Sequence, residues 1–246
     1  MSGLICAGNV FLNRYVSGVL TGEHGPINAT KFAINPGSAD KLDRPSFMRD
    51  TYGQALDSVV FPGIASLSIE TDDAAAEVLQ YALLGTLSDV TASSGTATSE
   101  AITAHSDRWT KLAHRSVSNV VVKNATDVTT YTVTTDYVVD AVSGMIKTVK
   151  TGSIADLDTL HVSYSYGTLT SKQIIAATNT EVRAYVRLEG KNLANQKYVS
   201  ITVPEAVLTP SGELDIAGKA FIKFGLSGSI VTQTGQSGPF IYTEIS

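Results

Sequence analysis

Over residues 180–190 the chain alternates apolar and polar side chains. In 180–190 (TEVRAYVRLEG) Val182, Ala184, Val186 and Leu188 fall on one side, and Arg183, Tyr185, Arg187 and Glu189 on the other. Successive side chains of a strand point to opposite faces, so this segment is a strand with one core face and one polar face. The same period, or enrichment in Val, Thr, Ile and Tyr, predicts strands at 9–20, 64–70, 117–123, 131–139, 145–149, 160–166, 198–203 and 221–232. One stretch breaks the pattern. In 71–85 (TDDAAAEVLQYALLG) Ala75, Val78, Leu79, Ala82 and Leu83 follow helical spacing. Thr71 is placed to cap it, Asp72 and Asp73 sit where the macrodipole favours anions, and Gly85 is placed to end it. The expectation is a mainly β chain, a β-sandwich or barrel with one flanking α-helix over about 72–84.

The strands fall into two sets. A Ser/Thr/Ala stretch at 88–99 (SDVTASSGTATS) reads as a linker or exposed loop, and small polar residues at 176–180 mark a second border. Residues 88–178 are therefore expected to form an inserted small all-β unit, and 1–87 with 179–246 the main body. Residues 99–114 suit neither helix nor strand clearly and stay unassigned. Residues 204–212 read as a connection, and 234–246 as an extended arm.

Residues 35–63 are longer than an ordinary connection and carry Leu42, Phe47, Met48 and Tyr52 among Pro, Gly, Asp and Arg. Large apolar groups on a long loop call for a cover. That cover is either a neighbouring subunit or, in an Ω-loop, the chain's own body. Phe240, Ile241 and Tyr242 in the C-terminal arm raise the same question.

Composition narrows the function. With 18 basic and 23 acidic side chains the net charge is −5, and no third of the chain is basic. Proteins that grip nucleic acid neutralise phosphates with clustered Lys and Arg, which are missing here. Charged residues make up only 17% of the chain, so part of its neutral surface is expected to be covered by neighbours. The single cysteine, Cys6, has no partner, and His24, His105, His114 and His161 are too scattered for a metal site. Gly212 to Lys219 has the wrong spacing for a phosphate loop, and Asp136 and Asp140 read as turn caps. The sequence predicts no catalytic site, no metal and no cofactor, and it has no apolar run long enough for a membrane helix.

A family resemblance rests on the order of several short motifs. These are Gly8-Asn9, then Arg49-Asp50-Thr51-Tyr52-Gly53, then Glu77-Val78-Leu79 with Leu83-Leu84-Gly85. After them come 186–192 (VRLEGKN) and 208–212 (LTPSG). In this order the chain resembles the tail tube proteins of long-tailed bacteriophages, over 8–87 and 180–232. Trp109, Leu112, His114, residues 135–140 (TDYVVD), Ser143-Gly144 and 162–166 (VSYSY) resemble a small β-module that recurs in phage structural proteins. The resemblance implies a non-enzymatic structural subunit of the virion, made in the host cytoplasm. It implies hexameric rings, stacked into a channel for genome ejection, with the inserted module on the outer surface. It further implies partners among tape measure, terminator and baseplate or tip proteins, and DNA that passes without specific binding. Leu42, Phe47, Met48, Arg49, Asp50 and Tyr52, with Phe240, Ile241 and Tyr242, are then the expected inter-subunit contacts. Glu70 and Glu189 are the expected lumen-facing residues. A carbohydrate- or receptor-binding module of a fibre or adhesin is the competing reading, with Trp109, Tyr164 and Tyr166 as its aromatics.

Overall fold

The computed structural model describes residues 3–245. They divide into two compact units, residues 3–87 with 174–245, and residues 88–173. Residues 174–178, assigned to the insert by composition, belong to the first unit.

The first unit opens with β1 (Cys6–Val16), β2 (Val19–Ile27), β3 (Ala29–Asn35), β4 (Asp40–Pro45), β5 (Ala55–Phe61), β6 (Ser66–Thr71) and α1 (Ala76–Ala82). The next strands are β7 (Thr86–Ala92), β8 (Gly95–Thr103), β9 (Trp109–Lys111), β10 (Val117–Asn124), β11 (Tyr137–Asp140), β12 (Met145–Thr148), β13 (Thr159–Tyr166) and β14 (Leu169–Ile175). The first unit resumes with β15 (Val182–Asn192), β16 (Tyr198–Ser211), β17 (Phe224–Ile230) and β18 (Ile241–Ile245). The chain is mainly β with one helix, as its periodicity predicts.

Where a sandwich or barrel is expected, the main body is one continuous antiparallel sheet in the order β2-β1-β15-β16-β17-β6-β3. One core takes Ile27 from β2, Val186 from β15, Leu208 from β16, and Ile69, Phe32 and Ile34 from the far end of the order. Strands at both ends of one sheet share a core only if the sheet curls around it. The alternation decides the inward face: Val182, Ala184, Val186 and Leu188 are buried, and Arg187 and Glu189 stand on the opposite face.

β16 organises this sheet. Its N-terminal half pairs with β18 (Ile201 with Tyr242) and its C-terminal half with β17 (Ala206 with Ile230). The connection expected at 204–212 is thus a continuation of the strand. Pro204 is tolerated because it falls where the register shifts between Ala184–Ala206 and Val186–Val203, a bulge that requires no ladder bond from its missing N–H. Of the arm expected over 234–246, Ile241–Ile245 form a strand of the sheet, and residue 246 lies outside the described residues.

The helix is shorter than expected. Thr71 closes β6 and its hydroxyl accepts from the Asp73 amide at 3.0 Å, while Asp73 accepts from the Ala75 amide at 3.0 Å. Side chains that take up successive amides hold turns instead of a helix, so α1 starts only after Ala75, which has no side-chain cap. At the other end Leu84 has φ +47, and the Gly85 amide donates to the Gln80 carbonyl at 2.8 Å. This is a Schellman stop with Leu84 in the left-handed position and Gly85 one residue later. Gly85 is needed there because an added Cβ would lie 2.5 Å from the Ile174 side chain. Val78 is buried and Leu79 and Ala82 pack against the core, as their spacing predicts, and Tyr81, outside that stripe, is buried with them.

The second unit has two three-stranded sheets, β10-β13-β8 and β11-β12-β9. Its core includes Leu112, Val122, Ile146, Leu160 and Val162. The 88–99 stretch is strand on both sides of residues 93–94, since Thr favours the extended backbone whatever its polarity. The unassigned 99–114 supplies the end of β8 and all of β9.

The strand expected over 131–139 shortens to β11. Asp136, nearly buried, draws the chain into a turn by accepting from the amides of Thr132 and Ser153, both at 2.8 Å. Asp140 accepts from Val142 and Ser143, and Asp107 pairs with Lys147 at 2.7 Å. The Thr132 and Ser153 amides hold the Asp136 carboxyl below the usual carboxylate range, bonds from Ser143 do so for Asp140, and Lys147 does so for Asp107. A folded-state pKa below the unfolded value adds stability above the unfolded pKa, and that stability is lost as pH falls through the folded value. Melting temperature of the second unit is therefore expected to fall progressively below about pH 4. Asp136→Asn should be less stable at pH 7 and show a flatter decline, measured by thermal melts between neutral and acid pH. An unchanged slope in Asp136→Asn would assign the acid response elsewhere.

Candidate assembly surface

The long segment expected as a loop is a regular hairpin. β4 pairs with β5 in the register Asp40–Phe61, Leu42–Val59 and Arg44–Asp57, and this two-stranded sheet is separate from the main one. The β-branched run Val59-Val60 explains the regularity, a signal the sequence carried and the loop reading passed over. The tip is pinned from inside. Ser46 is fully buried, its amide donates to the Gln54 carbonyl at 2.7 Å, its carbonyl accepts from the Gly53 amide at 2.8 Å, and its hydroxyl meets that of Thr51 at 2.7 Å.

Around this pin the large side chains point out. Leu42 is 66% exposed, Phe47 75%, Met48 62% and Tyr52 71%, and Leu56, Val59, Val60 and Phe61 join them. Phe47 and Tyr52 meet edge to face at 5.9 Å, so the aromatic pair is preformed. Arg49 and Asp50 form a solvent-exposed pair at 3.0 Å between them. An Ω-loop folded on its own body would bury these groups. A two-stranded hairpin exposing apolar groups on both faces is marginal in water by itself.

The C-terminal trio separates. Phe240 is half-buried and packs against the core of its own unit, whereas Ile241 and Tyr242 on β18 are about half exposed.

Glu70 and Glu189 both stand on the sheet face opposite the core, and each has a cation. Lys31 meets Glu70 at 2.9 Å. Arg187 meets Glu189 at 2.9 Å and grips Glu23 through two nitrogens at 2.6 and 3.2 Å, with its guanidinium 4.6 Å from the centre of the Phe11 ring. The two carboxylates raise the Arg187 pKa further above its ordinary value, so it stays charged. Arg187 was legible as a neighbour of Glu189, two residues away on one strand face. Glu23 and Lys31 come from strand pairing and were not. Beside this strip lies an open cleft of ≈ 640 Å³ lined by Arg14, Asn179, Glu181, Arg183 and Glu205. Its ions satisfy one another, Arg183 bridging Glu181 at 2.7 Å and Glu205 at 2.8 Å.

The aromatics of the carbohydrate-binding reading do not form a platform. Tyr164 is buried and donates to Glu100, and burial followed by that carboxylate pushes its hydroxyl pKa far up. Tyr166 is covered by the His114 ring stacked 3.7 Å away, and Trp109 alone is well exposed. Among the described residues no three His, Cys, Asp or Glu side chains stand together as a metal site, and no helix is long and apolar enough to cross a membrane.

Comparison with known proteins gives a partial likeness and a family. Over 73 residues, 28% of this chain, the sequence is 41% identical to a tail sheath protein of Burkholderia phage BcepMu. The aligned part is only 15% of that protein's length, so the likeness concerns a fragment of it. Residues 4–241 match the model of the family described as Protein of unknown function UCP028589, and the chain belongs to that family.

Proposed function

We propose that this chain is a structural subunit of a phage tail tube, assembling into hexameric rings that stack into the channel through which the genome leaves. The observation that carries this reading is the 40–61 hairpin, a pinned projection whose exposed apolar groups gain cover only from another chain. Ile241 and Tyr242 supply a second patch on the same unit. The partial likeness to a tail sheath protein supports a place in the phage tail, and the ordered motifs resembling tube proteins support the tube within it.

In this reading the polar face of the long sheet lines the bore. Its carboxylates at 23, 70 and 189 are matched by Lys31 and Arg187, which leaves no basic surplus to hold DNA. The subunit does no chemistry, takes no cofactor, and meets the tape measure, terminator and baseplate or tip proteins at the tube's ends.

Negative-stain electron microscopy of the purified chain is the test. Tubes or six-fold rings are the expected result. Dispersed monomers at all concentrations and salt conditions would sink the proposal.

A further inference from the structure

We propose that a small basic pocket in the second unit, walled by Lys111, His114 and Arg115, receives the carboxylate side chain of an exposed glutamate or aspartate on a partner protein. The pocket measures ≈ 170 Å³. Cofactor- and drug-sized ligands occupy about 300–1,000 Å³, so this one suits a single side chain.

Its cations are not directly paired. No carboxylate lines it, and among the described residues neither Lys111 nor Arg115 has an ion-pair partner. Glu100, which reaches this neighbourhood, is committed inward: one oxygen accepts from the Ala113 amide at 2.9 Å and the other from the Tyr164 hydroxyl. The two cations and the histidine converge on one small concavity. An acidic side chain is drawn to the two cations and seated by the concavity between them.

The histidine is held in place. The Tyr164 hydroxyl spends its proton on Glu100, so it accepts from His114 Nδ1, 3.0 Å away. That leaves Nε2 of the neutral ring an acceptor, so the ligand carboxylate is held by Lys111 and Arg115 while the imidazole forms part of the wall, its orientation set by the stack on Tyr166 with ring planes 8° apart. The remaining wall is apolar, chiefly Ala92 and Leu169. A glutamate places its methylene stem on that wall and its carboxylate against the Arg115 fork. An inorganic phosphate matches the charges and leaves the apolar wall bare.

The experiment uses the full chain and two capped tripeptides, Ac-Ala-Glu-Ala-NH2 and Ac-Ala-Gln-Ala-NH2, at constant ionic strength. Binding is read by saturation-transfer NMR on the peptide and by the fluorescence of Trp109, the one tryptophan of the chain, two residues before Lys111 on β9. The expected result is saturable binding of the glutamate peptide, none of the glutamine peptide, and at least a tenfold loss in Lys111→Ala/Arg115→Ala. Both side chains are exposed, so the double variant should keep its circular dichroism. Equal response to both peptides, binding unchanged in the double variant, silence in both readouts, or saturation by inorganic phosphate with none by the glutamate peptide would each overturn the assignment.

Discussion

A chain carrying Phe47→Ser and Met48→Ser is expected to stay monomeric under conditions where the parent polymerises, with an almost unchanged melting temperature. Both side chains lie at the hairpin tip, 75% and 62% exposed, and support nothing beneath them, since Ser46 and Thr51 hold the turn. Removing them from a monomer is a surface change, worth within about 0.5 kcal/mol. Burying each in a neighbour is worth about 1.5–3 kcal/mol, so a subunit contact loses about 3–6 kcal/mol, two to four orders of magnitude in association. Sedimentation velocity reads the assembly and differential scanning calorimetry the monomer. A variant that melts many degrees early as a monomer would mean that the tip packs on its own body, and one that still polymerises would remove the hairpin from the interface.

Gly144→Ala is expected to destabilise the second unit by about 2–4 kcal/mol, combining a left-handed backbone with overpacking. Gly144 ends the turn between β11 and β12 with φ +66, where a side chain is strained wherever it points. Its Cβ would also lie 1.9 Å from the His114 carbonyl oxygen. The obstacle is backbone and cannot rotate away. Movement there would break the bond from the Leu112 amide to the Gly144 carbonyl, 2.9 Å in the native chain, and loosen the segment that carries His114 and Arg115. Hydrogen exchange is expected to rise across β10 to β13, while the β15–β16 ladder of the other unit keeps its protection. Equal loss of protection in both units would show that they unfold as one.

Much of this was written locally in the chain. A strand's two faces are set by adjacent residues, so Val182, Ala184, Val186 and Leu188 were legible as core and Arg187 and Glu189 as the opposite face before any partner was known. The exposed groups of the assembly surface, Phe47, Met48 and Tyr52, were legible because four large apolar groups in a polar, proline-bearing stretch ask for cover. Segments were misread where composition outweighed backbone preference. Thr-rich 88–99 looked like a linker although Thr is a strand former, and Pro204 looked like a break although a bulge absorbs it.

Tertiary structure settled which groups meet. Arg187 and Glu23 are 164 residues apart, and Glu100 and Tyr164 are 64 apart. Only strand register brings either pair within bonding distance. Phe240 was indistinguishable from Ile241 and Tyr242 as a sequence triplet, and it turned inward because β18 joins β16 and leaves that position over the core. The helix lost its first turn because the Thr71 and Asp73 side chains take up the Asp73 and Ala75 amides, with Thr71 held at the end of β6 by its hydroxyl's 2.7 Å bond to the Asn28 carbonyl, a contact across 43 residues. Alternation and turn chemistry act between neighbours and can be read from neighbours. Pairing, register and burial are decided by residues far apart in the chain, where the energy of a contact depends on a partner that no local pattern names.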